Sequence, residues 1–103
     1  MIQKIYAIDR GLARRFADGN DPMSMLARLL EEAGELAQQV QHFEGRGVKR
    51  EKYGEPDRQK LAKEVMQVVG SALAIAAYYG IEKELEKTVE SFYQRVKDEG
   101  WIE

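Results

Sequence analysis

The chain contains no cysteine. Disulfides and thiolate metal sites are therefore excluded, which suits a reducing compartment. An excess of one charge is also missing. With 16 basic against 18 acidic side chains the net charge is −2, so there is no general pull towards nucleic acid or an anionic membrane. Long apolar runs are lacking too. The longest, "VVGSALAIAAYY", falls short of the roughly 20 residues a membrane helix needs, and "MIQKIYAIDRG" lacks the continuous apolar core of a signal peptide. These absences lead us to expect a soluble, cytoplasmic protein. Strand-like alternation, internal repeats and low-complexity tracts are absent as well. At 103 residues and 44% hydrophobic content, residues 1–103 are read as one domain with a modest core.

What is present is helical periodicity divided by punctuation. Ile5, Ile8, Leu12 and Phe16 recur at helical spacing until "DGNDP" interrupts them. Asp21 is a good N-cap and Pro22 a good first helical residue. Leu26, Leu29, Leu30, Ala33, Leu36, Ala37 and Val40 then form one apolar stripe to about Phe43. The connector "EGRGVKREKYGEP", with three glycines and a proline, separates this from a third helix that begins near Pro56 or Asp57 and stops at Gly80. A fourth helix carries Leu85, Val89, Phe92 and Val96 on one face and ends near Gly100. The pattern predicts an all-α fold, a four-helix antiparallel bundle. The third helix is apolar nearly all round, so part of it is expected to be covered by a second subunit in a homo-dimer or homo-tetramer.

Polar groups in that apolar helix need partners. Each residue turns about 100°, which places Glu64, Gln67, Ser71, Ala74 and Tyr78 along one line. On the second helix Glu32 and Glu35 are three apart and share a face with Arg28 and Gln39. Antiparallel packing of the two helices would bring Glu32 and Glu35 to Glu64 and Gln67. Three carboxylates and an amide oxygen on rigid helices suit Mg²⁺ bridging to substrate phosphates. A di-iron bundle would need a Glu-x-x-His on each of two helices, whereas the only histidine, His42, has no glutamate three residues before it; it is expected to lie on the surface near a helix end.

"EEAGE" at Glu31 to Glu35, followed after twenty-eight residues by "EVMQ" at Glu64 to Gln67, resembles the E-E-x-x-E … E-x-x-D signature of MazG-like nucleotide pyrophosphohydrolases. These belong to the all-α nucleoside triphosphate pyrophosphatase superfamily, with the dimeric dUTPases and phosphoribosyl-ATP pyrophosphatase. The likeness spans roughly residues 23–95. It implies a MazG-like helical bundle, assembled as dimers or tetramers, that hydrolyses a nucleoside triphosphate between the α and β phosphates. Glu32, Glu35 and Glu64 would be Mg²⁺ ligands, with Gln67 at the position of the fourth, where the family motif has aspartate. Glu31 would be an outer ligand or would orient the attacking water. Metal ions held by carboxylates make a nucleophilic side chain unnecessary, and the sequence offers no obvious one.

A triphosphate also needs cationic groups beyond the metal. Lys87, Ser91 and Arg95 follow at four-residue steps and resemble the Lys and Arg, with a small polar residue between them, on the last helix of family members. Lys49, Arg50, Lys52 and Arg58 are further candidates, and Tyr53 is placed to stack on a base. The resemblance implies house-cleaning of deoxy or damaged nucleotides. A second reading is an oligomeric nucleotide-binding or assembly protein with little turnover, because the amide of Gln67 brings no negative charge to the metal.

Overall fold

The computed structural model describes residues 1–45, 51–52 and 54–103. Among the described residues the architecture is all-helical, without strands: α1 (Ile2–Arg15), α2 (Pro22–Phe43), α3 (Arg58–Tyr78) and α4 (Glu82–Asp98). Lys49, Arg50 and Tyr53, read above as substrate contacts, lie outside the described residues.

Local chemistry sets the helix ends where the punctuation put them. The Asp21 carboxylate accepts from the Ser24 N–H at 3.1 Å and from the Ser24 hydroxyl at 2.6 Å. Pro22 follows as the first helical residue, so α2 begins with its free donors reduced. Asp57 does the same for α3, accepting from the Gln59 N–H at 2.8 Å. At the far end of α3, Gly80 adopts φ +66°. This left-handed residue lets the Ile81 N–H reach the Ala76 carbonyl at 3.0 Å and the Gly80 N–H reach Ala77 at 3.1 Å, the doubly closed glycine stop that satisfies orphan carbonyls. Asn20 closes α1 by another route: its side-chain amide donates to the carbonyls of Phe16, Ala17 and Ala13 at 3.0, 3.2 and 3.3 Å.

Helix α3 is the hub. Both α1 and α2 pack along it, α4 touches it more sparingly, and α1 and α2 do not pack on each other. The pairing of α2 with α3 is antiparallel. Glu32 and Glu35 sit beside Glu64, Arg28 and Ser71 line one cavity, and Met25 and Ala74 line the next. Numbers fall along α2 as they rise along α3. The core is small: Ile5, Tyr6 and Leu73 form its centre, with Val69, Ala77 and Leu85 packed against them.

This leaves an open shape. The chain measures 46 × 45 × 22 Å with a radius of gyration of 16.9 Å, against about 13 Å for a compact 100-residue domain. Of the α4 stripe only Leu85 reaches the core, while Val89 and Phe92 are 60% and 62% exposed. Of the α1 stripe, Ile5 is buried but Ile8, Leu12 and Phe16 remain about half exposed. The spacing identified amphipathic faces correctly, but it did not supply enough neighbours within one chain to cover them.

At 21 residues, helix α3 is the one described helix long and apolar enough, by length and composition, to cross a membrane, a test that the core helix of a soluble protein also passes.

Candidate metal centre

Glu32 and Glu35 are one turn apart on α2, and Glu64 projects from the facing turn of α3. Each offers one carboxylate oxygen, and the three oxygens lie within 4.8 Å of one another. The apolar contact between α2 and α3 that the stripes dictate is what forces them together, since all three border those stripes. One oxygen of Glu32 and one of Glu64, Oε2 in each case, are buried without a hydrogen-bond donor.

Such a group is electrostatically costly by itself. Loss of hydration, first, and then the negative charges of Glu35 and Glu64 push the Glu32 carboxyl above the ordinary carboxylate range. Convergent hard oxygen acceptors with orphaned lone pairs and no donor among the described residues suit a hard divalent cation such as Mg²⁺. The donor set present therefore fits the cation that the resemblance implies, on its chemistry and on its two orphaned oxygens.

The other site residues read from the sequence divide into two groups. Gln67, one helical turn beyond Glu64, lines the same cavity wall as Glu32. Glu31 is exposed and stands outside the three-carboxylate group. Lys87, Ser91 and Arg95 are not brought to the carboxylates within the chain. All three are exposed on α4, which has no packing contact with α2, and the Arg95 guanidinium pairs with Glu99 at 3.5 Å instead. Arg58 is exposed at the first turn of α3. His42, expected to be a plain surface residue, is half-buried and joins the end of α2 to the connector, its Nε2 lying 2.8 Å from the Gly54 carbonyl.

Three residues gain weight from the structure. Arg28 lines the cavity beside Glu32, with its Nη2 donating to the Gly19 carbonyl at 2.9 Å. The amide oxygen of Gln39, one turn from Glu35, is buried without a donor. Both were visible on the Glu32 face by spacing. Asp9 was missed. Its carboxylate enters the same cavity from α1, and its Oδ2 is likewise buried without a donor. The available signal was a carboxylate four residues after Ile5 and three before Leu12, inside an apolar stripe.

Comparison with protein-family models, with curated proteins and with solved structures finds no match to this chain.

Proposed function

We propose that the chain is a Mg²⁺-dependent nucleoside triphosphate pyrophosphohydrolase of MazG-like type, converting a (d)NTP to the (d)NMP and pyrophosphate. One observation carries the reading: three carboxylates from two helices lie within 4.8 Å of one another, and two of their oxygens are buried without a donor. The "EEAGE" and "EVMQ" stretches that build this group are those that resemble the family signature.

Glu32, Glu35 and Glu64 would hold the cation, and Gln67 would add a neutral amide oxygen. When bound, Mg²⁺ would supply charge neutralisation at the phosphates and a lowered pKa for water. The chain's own part is to fix the ligands on two rigid helices and to present a cationic donor nearby. Arg28 meets that need better than the α4 residues, because it lines the cavity next to Glu32 and is oriented by its bond to Gly19. We place Glu31 in an outer role, since it is exposed. The uncovered faces of α1 and α4 support assembly as a homo-dimer or homo-tetramer, in which Lys87, Ser91 and Arg95 would serve a neighbouring copy's phosphates.

The test is pyrophosphate release from a panel of nucleoside triphosphates, with and without Mg²⁺, by the unaltered chain and by Glu35→Ala. Mg²⁺-dependent release that Glu35→Ala abolishes is the expected result. The second reading, a nucleotide-binding or assembly protein with weak turnover, is favoured by one observation, the uncharged Gln67 beside the carboxylates. It expects nucleotide binding without release.

A further inference from the structure

Helix α2 has a second apolar face, and it points away from the carboxylates. Among the described helices only α3 packs on α2. At about 100° per residue, Met25, Glu32, Leu36 and Gln39 share the side turned to α3, and all four are buried or half-buried. Met23, Leu26, Leu30, Ala33, Gly34 and Ala37 fall on the far side. All six are exposed, Met23 and Leu30 by 71% and 65%. The stripe that spacing joins into one surface is thus two surfaces. No charge lies on the outer one, since Arg28, Glu31, Glu32 and Glu35 project outside it. A helix face left to water normally carries charged and polar groups, and this face has none.

Gly34 sharpens the point. Glycine inside a helix is destabilising relative to alanine. Here its φ is not positive, and a Cβ added to it would meet nothing within 4 Å. Neither backbone conformation nor a close neighbour within the chain calls for it, so an approach from outside is what the gap serves. The area agrees. The chain exposes 8246 Å², whereas a folded monomer of 11.8 kDa exposes about 5,900 Å². The surplus, roughly 2,300 Å², exceeds the ~800 Å² per partner that a stable interface covers.

We infer that this face is an isologous interface, in which two copies of the chain pair α2 against α2, antiparallel, about a two-fold axis beside Leu30. The face complements itself when turned over. Its leading part is large, with Met23 and Leu26, its trailing part is small, with Gly34 and Ala37, and Leu30 stands midway. Antiparallel pairing sets Met23 against the partner's Ala37 and Leu26 against the partner's Gly34, so projecting side chains meet gaps. A two-fold axis also sets a surface against itself, where charges would repel; a face without charge suits a second copy. A lipid surface fits worse, because helices that lie on membranes flank their apolar face with Lys and Arg. The one such residue of α2, Arg28, lies on the cavity side. The inference does not rest on the pyrophosphohydrolase reading. It adds to assembly through α1 and α4 a face that those helices do not contain, and it leaves the carboxylate side of α2 uncovered.

The experiment uses the absence of cysteine, which makes every introduced thiol unique. Leu30→Cys, Met23→Cys, Ala37→Cys and the double variant Met23→Cys with Ala37→Cys are made in the full chain and oxidised with copper phenanthroline at micromolar concentration. Leu30→Cys is expected to form a covalent dimer, because its two copies meet at the axis within disulfide reach. Met23→Cys and Ala37→Cys alone are expected to stay uncrosslinked, since seven residues either side of the axis put like positions about 20 Å apart. The double variant is expected to crosslink. Gly34→Leu is expected to keep or raise helical content by circular dichroism while weakening association at least about tenfold in sedimentation equilibrium, because the added side chain fills the gap. A monomeric unaltered chain, no crosslink at Leu30→Cys, crosslinking of Met23→Cys as readily as of Leu30→Cys, or undiminished association in folded Gly34→Leu overturns the proposal. The cysteine pattern decides it even if Gly34→Leu does not fold. Pyrophosphate release enters none of these outcomes, so the interface and the hydrolase reading stand or fall separately.

Discussion

Glu32 on α2 and Glu64 on α3 face each other across the helix pair, each with an oxygen shut away from solvent and without a donor among the described residues, and Glu35 completes a group within 4.8 Å. Two helices that pack through apolar stripes have brought like charges together. The following expectations rest on that conflict and on the open shape around it.

In the proposed cation site Gln67 would be the ligand without charge. Replacing it with aspartate adds a fourth carboxylate beside Glu32 and Glu64. Gln67→Asp is expected to tighten Mg²⁺ by about tenfold or more, since even outer partners of a metal site are worth roughly 10–100-fold. Calorimetric titration of both proteins measures it, and equal affinities would remove Gln67 from the ligand set.

The cluster should also leave a mark on stability. Lost hydration pushes the Glu32 carboxyl above its ordinary value of 4.5 in the folded chain, so between the two values the folded state holds more protons than the unfolded one. Stability of the metal-free protein is then expected to fall as pH rises from about 4.5 through the raised value, and to stay reduced above it. Asp21 acts with the opposite sign. Its carboxyl is held below 3.8 by the Ser24 bonds, so its contribution is present above that value and is lost as pH falls through the lowered one. Melting curves in EDTA across this range should show the Glu32 trend, Glu32→Gln should flatten it, and Mg²⁺ should oppose it. A Glu32→Gln profile parallel to the unaltered one would contradict the repulsion.

Leu73 is buried with Ile5 and Tyr6 at the centre of a small core. Leu73→Ala is expected to destabilise the fold by about 2–4 kcal/mol, read as a shift of the urea midpoint. A loss below about 1 kcal/mol would mean that the site collapses around the gap.

Val89 and Phe92, 60% and 62% exposed, form an apolar face that no other described helix covers. Light scattering at micromolar concentration is expected to report a dimer or tetramer, and Phe92→Glu to shift it towards the monomer. A monomeric unaltered chain would count against assembly through α4.

Much of this was legible in the sequence because it is written in local chemistry. Asp21 with Pro22, Asp57 and Gly80 mark helix ends through bonds to residues a few positions away, so their signals survive any tertiary arrangement. The meeting of Glu32, Glu35 and Glu64 was legible because two stripes of fixed period leave few ways to pair α2 with α3. Asp9 was not, since its meaning comes from a cavity that α1 forms with α2 and α3. The α4 residues Lys87, Ser91 and Arg95 were legible as a row, but a row on one helix says nothing about which helix it meets.

Helix α1 is held by two attachments of different kinds: Ile5 and Tyr6 seated on α3, and the segment after the helix, where the Gly19 carbonyl takes Arg28 from α2. Neither attachment involves the three carboxylates. The molecule is thus built like a vice, with one fixed jaw carrying the three carboxylates and one separately hung jaw setting the gape. Substitutions within residues 5–20 can reshape the space between the jaws without displacing the carboxylates.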